Sequence, residues 1–383
     1  MNGVDVLLEN PRKYLGNNRI GLITNHTGVT TTLESTLDAF HRHDKINLKA
    51  VFGPEHGARG DIQDALDVSS HIDPYTELPV YSLYGEHRAP TQEMLDDIDI
   101  LVFDIQDCGA RFYTYVSTLT HCMESAKEHG VSVIVLDRPN PINGVSVEGN
   151  ILETGYESFI GLHPVPLRHG MTIGELSSFI NTGIRCDHSI VPMEYWYRGL
   201  WFDETGLPWV QPSPNLPSLD AATVYPGTCF FEGVNVSEGR GTTRPFEYLG
   251  APWVDGKSWA DSMNTLNLPG VRFRSCYFTP TFWRFEGESC SGVQVHVTDR
   301  TVFNSVETGL NLLSTLMDIH PRFQFNEPTY DTRCHFDLLA GTSKLRKQFE
   351  DGEPVDNILA SWERETETYL KEREKHLFYE EAS

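Results

Sequence analysis

The chain has 383 residues and carries 30 Lys+Arg against 54 Asp+Glu, a formal charge of −24 with histidines neutral. So acidic a surface lacks the positive field that nucleic acid and anionic lipid require, which excludes both as partners and leaves a small soluble substrate as the expectation. At 39% hydrophobic and 22% charged, the composition is that of an ordinary globular protein, long enough for two domains or three.

The first half alternates short apolar runs with amphipathic stretches, the pattern that builds a parallel sheet through helical crossovers. Strands are predicted over 19–24, 48–52, 79–81, 98–104, 131–137 and 189–193. The unbroken Val/Ile/Leu character of IDILVFD (98–104) and VSVIVLD (131–137) suits strands covered on both faces. Helices are predicted over 32–41, 91–96, 113–128 and 172–181, the last opened by a capping box of Thr172 and Glu175. Asp104 and Asp137 close their strands at the edge where open α/β sheets place ligands. Residues 196–227, rich in Pro, Gly and aromatics, read as a long ordered connector. Beyond it come strands near 271–278 and 292–298 and helices near 302–317 and 355–375. The expected architecture is α/β: a Rossmann-like, parallel-sheet N-terminal domain over 1–227 and a smaller α+β C-terminal domain over 228–383.

Seven scattered cysteines without C-x-x-C spacing fit neither a zinc ribbon nor a disulfide framework, and no run approaches the roughly 18 apolar residues of a membrane span. With no export signal at the start, a cytoplasmic location is expected. Nine of the cations are lysines, and this acidic, lysine-poor composition fits a salt-adapted host or ordinary solubility charge. TNHTGVT follows the first strand where a dinucleotide-binding sheet needs G-x-G-x-x-G, and no phosphate loop, nucleophile elbow or H-E-x-x-H appears. No nucleotide cofactor and no metal are expected.

Four constellations can carry chemistry. FGPEHGARGDIQDA (52–65) puts Glu55, His56 and Arg59 on the ligand edge, with Glu55 able to act as a general acid or base. FDIQDCGARFYTY (103–115) adds Asp104, Gln106, Asp107, Arg111 and Tyr113, where a carboxylate beside an arginine also suits a structural pair. LDRPNPINGVSVEG (136–149) contributes Arg138 and Asn140, and the next two loops contribute Arg168, His169 and Asn215. FFEGVNVSEGRGTTRPFE (230–247) gathers Glu232, Glu238, Arg240 and Arg244, a set that either clamps an anionic substrate or forms an ion-paired hinge.

Six ordered motifs, GLITNHTGV, VFGPEHGARG, DILVFDIQDCGARFYTY, LDRPNP, PSPNLPSLDAATVYPGTCFFEG and NVSEGRGTTRPFE, resemble the exo-β-N-acetylmuramidase family, glycoside hydrolase family 171, over nearly the whole chain. The resemblance implies an active site in a cleft between the two domains. It also implies release of non-reducing terminal N-acetylmuramic acid from peptidoglycan fragments, with Glu55 matching the glutamate of the family's GPEHG motif, its catalytic acid. Glu232, Glu238, Asp104 or the substrate's own acetamido group remain open as the second group. The lactyl carboxylate of the substrate calls for a cation, with Arg240 or Arg244 as first candidates and Arg59 behind them. The family's exported members leave the compartment open. Another acidic or acetamido sugar, an amide or ester hydrolase using His56 or His169, and a non-catalytic carbohydrate-binding protein of the same fold are the alternatives.

Overall fold

In the computed structural model the described residues are 1–55, 57–60, 70–328 and 332–381. Seven strands form the central sheet: β1 (Arg19–Thr24), β2 (Asn47–Gly53), β3 (His71–Ile72), β4 (Pro79–Ser82), β5 (Ile100–Asp104), β6 (Ser132–Leu136) and β7 (His188–Val191). Their order is β3-β4-β2-β1-β5-β6-β7, parallel throughout except for the short antiparallel edge strand β3. The chain leaves β1 first for β2 on one side and later for β5 on the other. The loops after β1, β2 and β5 therefore diverge around a switch point, where such sheets open a crevice.

The sheet is covered on both faces, as its continuous apolar strands require. Ile20, Leu22, Val51, Val102 and Ile134 pack on one face against the N-terminal helix Gly3–Glu9 and the helix Thr36–Arg42. Ile23, Phe52, Phe103, Val133 and Val135 point the other way, onto the helices Tyr115–His129 and Ile173–Ile184. Gly21 shares that second face, and a Cβ there would lie 2.8 Å from the Phe52 ring, so only glycine lets the strand and its neighbours close up. The capping box forms as expected: Thr172 accepts from the Glu175 N–H while the Glu175 carboxylate accepts from that of Thr172.

The core of this second face continues into the C-terminal part, an antiparallel sheet of β8 (Tyr248–Ala251), β9 (Val271–Phe278) and β10 (Cys290–Val297) in the order β8-β10-β9. The expected connector differs from what is found, since it ends in a helix, Leu219–Thr228, capped by Ser218. Residues 221–228 are all buried, so this helix has no polar face and no amphipathic period for a pattern reading to detect. The helix expected over 355–375 is two, Val355–Ala360 and Glu363–Arg373.

Charged struts join the ligand edge of the sheet. Arg138, just past β6, donates from Nε to Asp104 Oδ1 at 2.7 Å and from Nη2 to Asp104 Oδ2 at 2.8 Å, with both side chains buried. Thr36 completes Asp104 at 2.5 Å, and Arg138 also donates to the Val29 carbonyl at 2.9 Å. Asp137 is equally buried; it accepts from Thr172, the Gly174 N–H and, at 2.5 Å, from Tyr379 of the C-terminal tail. Burial pushes its carboxyl up to about 7 against the pull of those donors. Arg138→Met strips Asp104 of its counter-charge inside the protein and should cost about 3–5 kcal/mol in chemical denaturation. A loss under about 1 kcal/mol, the scale of an exposed pair, would contradict this reading.

Candidate functional site

Where β2 ends, Gly53 and Pro54 carry Glu55 onto the ligand edge, half-buried, and the Thr114 hydroxyl donates to its Oε2 at 2.9 Å. Thr114 is the N-cap of the helix Tyr115–His129 but makes no side-chain cap, because its hydroxyl is turned to Glu55. The preceding residue, Tyr113, sets its ring 5.0 Å from that of Tyr115 and 6.1 Å, edge-on, from that of Tyr225. Tyr225 in turn meets Phe246 at 4.7 Å. The Arg240 guanidinium lies 5.1 Å over the Phe246 ring. This aromatic chain links Glu55, on the sheet, to the charged cluster of the C-terminal part.

In that cluster one nitrogen of Arg240 donates to Glu232 at 2.8 Å and to Glu238 at 3.0 Å. His335 lies 3.7 Å from the other Glu232 oxygen. Burial raises the Glu232 carboxyl, but Arg240 and His335 outweigh it and hold the group at about 2. Glu238 is wholly buried, and its Oε2 has no hydrogen-bond partner among the described residues. Gly241 follows at φ +78°, where a Cβ would strike the Phe282 carbonyl 2.5 Å away, so the loop holding Arg240 depends on glycine to sit against the 281–282 backbone. Arg284 from the same loop region donates to the carbonyls of Val234 and Glu232.

The remaining candidates divide by what they hold. Gln106 donates to the carbonyls of Asp107 and Pro139, both at 2.7 Å, and Asn140 donates to that of Met171 at 2.9 Å, so both shape the loops beneath the edge. Arg111 is buried and donates to the carbonyls of Asn150, Val165, Leu339 and Ala340, stitching the two parts of the chain together; burial pushes it down to about 9. Arg168 is paired with Glu148 and the Ile142 carbonyl, also out of solvent. His169 lies 3.6 Å from Asp107, whose Oδ2 accepts from the Gly109 N–H at 2.7 Å while its Oδ1 has no partner among the described residues. Asn215 is buried in the turn set by Ser213. Arg59 is bound to Asp73 at 2.6 Å and to Asp38 at 3.1 Å. Arg244, 44% exposed, faces Glu247 at 3.3 Å and Asp220 at 3.8 Å. The Asp104–Arg138 pair is the strut described above, and His56 lies outside the described residues.

Thr114, Tyr225 and His335 were not singled out by the sequence reading. Thr114 and Tyr225 stand within quoted motifs, whereas nothing around His335 marks it. Among the described residues no group of three or more His, Cys, Asp or Glu side chains could hold a metal ion, and no helix is long and apolar enough to cross a membrane.

Two family profiles match the chain: exo-β-N-acetylmuramidase NamZ, N-terminal, over residues 20–220, and exo-β-N-acetylmuramidase NamZ, C-terminal, over 223–379. The peptidoglycan β-N-acetylmuramidase NamZ of Bacillus subtilis is 50% identical over 380 residues, which span 98% of this chain and 91% of that protein. A DUF1343 family protein of Bacteroides fragilis superposes with a TM-score of 0.90 at 37% identity, covering 99% of this chain and 98% of its own. A second one from that organism gives 0.76 at 32% identity, covering 100% and 99%.

With its carboxyl at about 2 rather than the ordinary 4.5, Glu232 contributes stability that is complete above pH 4.5 and lost as pH falls through about 2. Arg240→Met removes the main opposing charge. The variant should be less stable at neutral pH and should lose less on acidification across that window, measured by urea denaturation at a series of pH values. An acid limb identical to that of wild type would contradict the assignment.

Proposed function

Since the chain belongs to the exo-β-N-acetylmuramidase family, we propose that it releases non-reducing terminal N-acetylmuramic acid from peptidoglycan fragments, with Glu55 as general acid. The observation that carries the assignment is the Glu55–Thr114 contact at the ligand edge, joined through Tyr113, Tyr225 and Phe246 to the Glu232–Arg240–Glu238 cluster. Glycoside cleavage asks two different things of two carboxyl groups: one gives a proton to the leaving oxygen, and the other stays ionised. Arg240 and His335 keep Glu232 ionised, which makes it a poor proton donor and suits it to the second task. Asp104 is unsuited to either, being buried and committed to Arg138 and Thr36.

In the proposed reaction the bond between the anomeric carbon and the leaving oxygen breaks as the Glu55 proton moves to that oxygen. The Glu232 anion stabilises the positive charge that develops on the sugar. Water supplies the hydroxyl that ends on the anomeric carbon, and its remaining proton restores Glu55. All seven cysteines are free thiols, a state that a reducing compartment preserves, which supports a cytoplasmic site of action.

Turnover of para-nitrophenyl N-acetylmuraminide, beside that of the N-acetylglucosaminide, tests the proposal. Wild type should cleave the muraminide selectively, and Glu55→Gln, which keeps the shape and loses the proton, should be slower by roughly 10²–10⁴-fold in kcat. Wild-type rates in Glu55→Gln would move the acid elsewhere.

A further inference from the structure

N-acetylmuramic acid differs from N-acetylglucosamine by a lactyl carboxylate, and the arginines near the cleft are already occupied. Arg240 is held between Glu232 and Glu238, Arg59 by Asp73 and Asp38, Arg244 by Glu247 and Asp220, and Arg284 by carbonyl oxygens. Bringing a substrate carboxylate to any of these sets it against an existing anion or displaces an existing bond.

Arg88 is different. Its guanidinium lies 4.3 Å over the Phe159 ring, is exposed, and has no carboxylate within ion-pair distance among the described residues of a chain with 54 acidic side chains. Its position follows from the backbone. The Leu83 N–H donates to the Gly53 carbonyl at 2.8 Å, so β4 and β2 stay paired up to the point where β2 hands over to Pro54 and Glu55, and residue 88 follows Leu83 by five positions. Phe159 is held at the same place from the other side, its carbonyl accepting from Ser117 at 2.6 Å. Ser117 is three residues beyond Thr114, the partner of Glu55, and therefore on the same helical face one turn along, and His121 one turn further stacks on the Phe159 ring at 6.3 Å. One to two turns is ~5–10 Å, the span of a hexopyranose with its 3-O substituent.

We propose that Arg88 is the specificity residue that receives the lactyl carboxylate, and that Phe159 is its positioning residue. Stacking on the ring fixes the plane of the guanidinium and leaves its N–H fork open for bidentate contact with a carboxylate. This inference rests on the glycosidase reading above.

The test compares para-nitrophenyl N-acetylmuraminide with its neutral lactyl carboxamide in wild type, Arg88→Met, Arg88→Lys and Phe159→Leu. In Arg88→Met, kcat/KM for the acid should fall roughly 10–100-fold, mostly through KM, while the carboxamide rate holds, so that the preference for the acid disappears. Arg88→Lys should restore part of that preference, and Phe159→Leu should weaken it without abolishing turnover. An Arg88→Met enzyme that keeps the wild-type ratio of acid to carboxamide overturns the inference and leaves the glycosidase reading standing. A wild-type enzyme that cleaves no muraminide overturns that reading and this inference with it.

Discussion

A bidentate contact between Arg138 and Asp104, sealed from water where β5 and β6 end, sets the geometry of the edge on which everything else is built. Six parallel strands finish at that edge, and without a rigid tie between strand ends their loops would have no common frame. The pair also reaches back to the loop after β1 through the Val29 carbonyl and to the helix Thr36–Arg42 through Thr36. Charge buried in this way is costly to place and more costly to leave half-paired, so it penalises every arrangement in which the strand ends drift apart.

The same logic recurs at larger scale. Arg111 joins carbonyls near residues 150 and 165 to those near residue 340, and Tyr379 hooks the C-terminal tail onto Asp137 at the end of β6. These contacts tie the sheet edge that carries Glu55 to the part of the chain that carries Glu232. A strongly acidic protein spends most of its buried arginines in this way. The cluster around Arg240 combines structure and chemistry in one contact, because the cation that supports the loop also keeps Glu232 ionised.

Much of this was legible in the residue order. The apolar runs of β5 and β6 announce doubly covered strands because burial on both faces leaves no room for alternation, and the Thr172/Glu175 box marks a helix start through purely local hydrogen bonds. The motif around Glu55 stands out because it sets ionisable groups among glycines at the strand end where open α/β sheets place ligands. The helix Leu219–Thr228 escaped for the opposite reason: buried on every side, it has no polar face to create a period. Short elements such as β8, with four residues, carry too little pattern to register.

Local chemistry thus determines the strands, their hand-over points, the family and the glutamate that follows β2, since each depends on neighbours within a few positions. Which charged groups stay available to a substrate is a tertiary outcome. Asp104, Arg111, Arg138 and Arg168 look like site residues in one dimension and are committed to partners 20 to 229 positions away in three. Arg88 has no motif around it in the sequence and stands exposed on an aromatic ring 71 residues further on, a neighbour that only folding supplies. Pairing energies between distant charges depend on distance and burial, and neither exists until the chain has folded.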